Sequence, residues 1–72
     1  MRTLGHPLRL RILRLTLDHP MTNKELARRL RRDPGTVLHH VKRLVDGGFL
    51  AADPVRTGKR GAIERPYRAT GK

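Results

Sequence analysis

With 72 residues the chain has room for one small domain, close to the size at which a single core stops being self-sufficient. Apolar residues make up 36% of it and aromatics 3%, so a core has to be assembled from Leu, Val, Ile and Ala. A formal charge of +11, from seventeen Lys and Arg against six Asp and Glu, calls for an anionic partner, and the absence of cysteine excludes disulfides and thiolate metal sites.

Met1 to Pro7 lacks the apolar run of a signal peptide, and no stretch approaches transmembrane length, so a cytoplasmic location is expected. The first element is "LRLRILRLTL", Leu8 to Leu17. It opens with strand-like alternation, which fails where Ile12 and Leu13 stand side by side. At about 100° per residue, Leu10, Leu13 and Leu17 form one helical stripe and Leu8, Ile12 and Leu15 another. Pro7 and the Leu and Arg content predict a helix. A three-helix core covers one broad stripe of it. Leu10, Leu13 and Leu17, with Ile12 at the seam, are the expected buried set. Leu8 and Leu15 are then left as a contact patch for a partner subunit or a further segment.

Thr22 and Glu25 form a T-x-x-E capping box, with Met21 placed to staple onto Leu26. The helix it starts spans about 22–31, with Leu26, Ala27 and Leu30 as its apolar face. Asp33 caps a third helix over 34–46, and Pro34 suits the first position, where no N–H is needed. Val37, Leu38, Val41, Leu44 and Val45 make its buried stripe, and Gly47–Gly48 end it. Beyond, "FLAADPV" and "AIERPYRA" read as short strands around the basic turn "RTGKRG", with Pro54 and Pro66 restricted to edge or end positions.

Two helices joined across Arg31 to Asp33, the second long and basic, are the plan of a helix-turn-helix. A helix before and a hairpin after make it winged. The predicted class is therefore α+β, mostly α: a three-helix core plus a two-stranded β wing. One domain spans 1–72, with the helix-turn-helix at about 22–46 and the wing at about 49–69.

The segments "LGHPLRLRIL", "MTNKELARRL", "DPGTVLHHVKRLVDGGFL" and "PYRAT", in that order, resemble winged helix-turn-helix regulators of the ArsR type over nearly the whole chain. The resemblance implies a bacterial transcription regulator that binds operator DNA, usually as a homodimer, under an effector it does not name. Relatives of this type carry further helices that form the dimer. The cysteine pair of the metal-sensing members is absent, so metal sensing is not carried over. Arg31 and Arg32 stand in the turn where glycine is often found.

On a helical wheel for the third helix, His39 lies opposite the apolar stripe with Gly35, Thr36, Lys42, Arg43 and Asp46, while His40 sits at the border. Adjacent helical side chains diverge by about 100°, so the pair does not grip one metal ion. No nucleophile or carboxylate cluster accompanies it, and an enzyme is the least supported class. No cofactor, metal or membrane partner is expected.

The candidate contacts to double-stranded DNA are Gly35, Thr36, His39, His40, Lys42 and Arg43 on the recognition helix. Arg56, Lys59 and Arg60 on the wing would reach the backbone or minor groove. Thr22, Asn23, Lys24 and Arg32 would flank on the backbone. Arg43 suits a bidentate contact to guanine, and His39 a base edge or a phosphate. For His40, packing or one phosphate bond fits equally well. The competing functions are a winged-helix protein-interaction module and nucleic-acid binding without sequence preference.

Overall fold

The computed structural model describes residues 6–72. Leu4 and Gly5 of the first motif lie outside them. Helix α1 runs Pro7–Asp18 and begins where His6 Nδ1 accepts the Leu8 N–H at 3.1 Å. Its orientation differs from the expected one, although Ile12 is buried and Leu13 packs on the core as expected. Leu8 and Ile12 are buried together with Thr16, whereas Leu10 is 44% and Leu17 66% exposed; Leu13 and Leu15 are partly buried against the core. The stripe i, i+4, i+8 goes inward because Thr16 is not polar in effect. Its hydroxyl donates back to the Ile12 carbonyl at 2.9 Å and the Leu13 carbonyl at 3.2 Å, leaving a methyl for packing.

A short strand, β1, Met21–Thr22, was not expected. It leads into helix α2, Asn23–Leu30, through the complete capping box: Thr22 Oγ1 accepts from the Glu25 N–H, and Glu25 Oε1 accepts from the Thr22 N–H at 2.8 Å. Helix α3, Pro34–Asp46, is capped by Asp33, whose Oδ2 accepts the Thr36 N–H at 3.2 Å. Between the two helices Arg31 adopts the left-handed conformation at φ 56°, ψ 46°. The Arg31 N–H bonds the Arg28 carbonyl and the Arg32 N–H the Ala27 carbonyl, a Schellman closure performed without glycine. At the end of α3 the same closure uses Gly48 at φ +82°, with the Phe49 N–H on the Leu44 carbonyl at 2.9 Å.

The wing strands are β2, Leu50–Ala52; β3, Arg56–Thr57; β4, Ile63–Glu64; and β5, Pro66–Ala69. They do not form one continuous ribbon. The root is a three-stranded antiparallel sheet in the order β1-β5-β2, and the tip is a separate β3-β4 pair. The break falls at Pro54, which has no N–H, and is bridged by Asp53: its N–H bonds the Pro66 carbonyl at 2.8 Å and its carboxylate accepts Arg68 Nε at 2.9 Å. Pro66 starts its strand, the end position open to proline, although that strand is the central one.

The three helices and the sheet enclose one core. Ile12, Leu26, Val37, Val41 and Leu44 have no exposed surface, and Met21, Leu30, Phe49 and Leu50 complete it. Three helices and an antiparallel hairpin in this order are a winged helix-turn-helix.

Candidate nucleic-acid interface

Burying Val37, Val41 and Leu44 fixes the rotation of α3 and so decides what its other side presents. Gly35, Thr36, His39, Lys42 and Arg43 are all exposed. Thr36, His39 and Arg43 follow one another at three- and four-residue steps along one face, with Gly35 and Lys42 beside them. Among the described residues, neither Lys42 nor Arg43 takes part in an ion pair, so their charges face solvent. A Cβ at Gly35 would come within 2.9 Å of the Asp33 carboxylate, so glycine there keeps the cap in place and the first turn open.

His40 is turned the other way. It is 7% exposed, and its Nδ1 accepts from Arg9 Nε of α1 at 3.0 Å. The His6 ring lies 4.4 Å from it and the His39 ring 5.5 Å. An Nδ1 that accepts carries its proton on Nε2, so the imidazole is neutral. Burial, and after it the charges of His6, Arg9 and His39, hold its pKa below the ordinary histidine value. His40 thus packs between α3 and α1. No group of three His, Cys, Asp or Glu suited to a metal ion occurs among the described residues.

The start of α2 stands next to the start of α3, because Asn23 Nδ2 donates to the Pro34 carbonyl at 2.9 Å. Thr22 is buried and Asn23 is committed to this tie, so of that trio Lys24 is the exposed one. Arg32 is exposed in the turn ahead of Asp33. The wing leans over the start of α2, and a concavity of about 270 Å³ between them is lined by Asn23, Lys24, Ile63, Arg65 and Tyr67. At the tip Lys59 and Arg60 are exposed, with Arg60 in the left-handed conformation at φ 57° beside Gly61.

Arg56, the third wing cation, is differently placed. Its guanidinium pairs with Glu64 across the hairpin at 3.3 Å and with Glu25 of α2 at 3.4 Å. Glu25 sits below the usual carboxylate range, first because the Thr22 N–H bonds it, with the Thr22 hydroxyl, Arg56 and His19 adding to the effect and burial opposing it.

Lys24, Arg32, Thr36, His39, Lys42, Arg43, Lys59 and Arg60 thus remain as exposed polar or cationic groups. Three residues of this neighbourhood, which alternate onto one side in the sequence, were not among the expected contacts. Ile63 is 78% exposed on the wing. Arg65 and Tyr67 line the concavity. Their alternation from β4 into β5 was the available signal. The contact between His6, Arg9 and His40 left none, because it joins α1 to α3 across more than thirty residues of chain.

A cationic second helix in a winged frame defines a protein of the helix-turn-helix class, the fold of DNA-binding regulators. The family model for the helix-turn-helix domain matches residues 4–51, and the chain belongs to that family. Among solved structures, it is similar to Rv0081 of M. tuberculosis, at 26% identity and a TM-score of 0.76, with 94% of this chain and 63% of that one covered. It is also similar in fold to TA0346 of Thermoplasma acidophilum, a protein assigned as a transcriptional regulator. There the identity is 22% and the TM-score 0.81, over 99% of this chain and 73% of that one. The chain therefore spans less than two thirds of the length of the mycobacterial protein. No curated protein sequence matches it. No helix among the described residues is long and apolar enough to cross a membrane.

Proposed function

We propose that residues 1–72 form the DNA-binding domain of a cytoplasmic, ArsR-type transcriptional regulator that recognises a specific duplex operator. In this reading α3 enters the major groove, and the wing tip lies on the adjoining backbone or minor groove. The observation that carries it is the outer face of α3: Thr36, His39, Lys42 and Arg43 are exposed, and neither cation has an intramolecular ion pair among the described residues. His39 and Arg43 contact base edges, Thr36 and Lys42 the backbone, and Lys24, Lys59 and Arg60 add phosphate contacts. His40 supports the helix from behind.

Selection of bound sequences from a random duplex pool tests this reading. A specific site should exceed competitor DNA by about 10³ in affinity at fixed salt, and a ratio near one would replace the regulator with a packaging protein. If one domain neutralises about four phosphates, log K falls against log[salt] with a slope near −3.6. The exposed Arg11, Arg14, Arg28 and Arg29, which lie off the α3 face, favour the second reading of binding without sequence preference.

The regulator acts as a homodimer in this proposal, paired through α1. Leu10 and Leu17 supply the exposed apolar side, in place of Leu8 and Leu15. Replacing both with Gln should leave the melting temperature within a few degrees of the parent. Any dimer seen by sedimentation should disappear, and a large drop in melting temperature instead would assign them to the core.

A further inference from the structure

We infer that Arg56 is a positioning residue which braces the wing against α2, and that it does not itself grip DNA. This inference rests on the DNA-binding reading for its consequence, though not for its geometry. Arg56 and Glu64 are directly opposite in the β3-β4 pair, so their side chains share a face of the hairpin. Arg56 Nε reaches Glu64 Oε1 at 3.3 Å, and its Nη2 reaches Glu25 Oε1 at 3.4 Å. The planar guanidinium fork can hold both carboxylates at once, which a lysine ammonium does less well. Glu25 is in turn fixed by the Thr22 N–H at 2.8 Å. A path of charge therefore runs from the wing, through Arg56, to the capped start of α2.

Gly58 belongs to the same device. A Cβ there would meet the Glu64 carboxylate at 2.6 Å, so the absence of a side chain lets Glu64 fold over the hairpin towards Arg56. The wing needs such a brace. Its outer pair has two residues per strand, and none of its tip residues is buried. A two-stranded hairpin of this length is not stable by itself. Lys59 and Arg60, carried on that tip, reach DNA from a defined place only while the tip is held.

The test turns on a sign. Glu64→Gln removes a negative charge from a surface that faces a polyanion, so simple electrostatics has it tighten binding. A brace has it do the opposite. The experiment measures binding of a mixed-sequence DNA duplex by fluorescence anisotropy at one salt concentration, together with backbone ¹⁵N heteronuclear NOEs in the free protein. Arg56→Gln, Glu64→Gln and Gly58→Ala are each compared with the parent.

In all three variants the NOEs of Lys59, Arg60 and Gly61 are expected to fall while the melting temperature stays within a few degrees. Glu64→Gln and Gly58→Ala should weaken duplex binding about two- to fivefold, the scale of an exposed ion pair. Tighter binding by Glu64→Gln, or a tip in Arg56→Gln as ordered as in the parent, overturns the inference. If the parent itself binds no duplex, the DNA reading fails, and the NOE comparison alone decides whether Arg56 braces the wing.

Discussion

Helix α3 and the wing tip are held by opposite means. Helix α3 is over-determined: Asp33 caps its start, Gly48 closes its end, and Val37, Val41 and Leu44 are wholly buried. The wing tip has two paired residues per strand and depends on side chains that remain largely in water. A reader of base edges needs atoms fixed to within fractions of an ångström, whereas a contact to the phosphate chain needs its cation held near the backbone and can accept a wider range of geometries. Core burial and caps hold the face where sequence would be read, and a lighter side-chain brace holds the tip where charge would be neutralised.

The largest effect expected from breaking this contrast lies in the core. Leu44→Ala should cost about 2–5 kcal/mol in chemical denaturation, enough to depopulate a domain of this size. Lys59→Ala with Arg60→Ala should instead leave stability within about 0.5 kcal/mol. That pair should flatten the salt slope by about 0.9 for each phosphate left without a cation. Equal destabilisation by the two would erase the distinction between the regions.

Next in size, His39→Ala and Arg43→Ala should shift preference at the affected base pair by about 1–3 kcal/mol, measured by competition between single-site duplex variants. Unchanged preferences would move the reading surface off this face of α3.

A smaller gain is expected in the turn. Arg31 is a non-glycine residue in the left-handed region, a placement costing about 1–2 kcal/mol. Part of that cost returns as backbone entropy in a glycine variant. Arg31→Gly should therefore stabilise by up to about 1 kcal/mol in thermal melts, and destabilisation would show that the arginine side chain outweighs its backbone.

The gentlest test is by pH. Folding holds the His40 pKa below the ordinary value of 6.5, so the unfolded chain takes up a proton first as the solution is acidified. The His40 contribution to stability is whole above pH 6.5 and is lost as pH falls from there through the folded value. Parent-minus-His40→Gln stability, followed by urea melts across that window, should fall with acidification. A flat difference would mean that burial leaves His40 unperturbed.

The second and third helices were legible because their signals are local. Thr22 with Glu25, Asp33 with Pro34, and Gly47–Gly48 each act within four residues, and the elements end within a residue of where these place them. The face that α3 turns outward follows from the same periodicity. What failed was whatever depended on distant partners. The rotation of α1 is set by β5, α2 and α3, and Thr16, polar on paper, hides its hydroxyl within the helix. Strand β1 is invisible because Met21 and Thr22 pair with Tyr67 and Pro66, far along the chain, while already serving a helix cap. His40 was ambiguous for the same reason: its partners are His6 and Arg9. Arg56 looked like its neighbours Lys59 and Arg60 until the hairpin register set Glu64 opposite it.

Strand β5 has a bearing on where this domain can be cut. The segment matched by the family model ends at residue 51, inside β2, and β5 lies well beyond it. Yet β5 is the strand that joins β1 to β2, and α1 packs against it. Excision at the matched boundary would do more than shorten an appendage. It would leave β1 and β2 as two bare edges, uncover one side of α1, and expose unpaired N–H and C=O groups to neighbouring molecules. Such a fragment would keep every residue of α3 and lose part of the scaffold that holds the fold together.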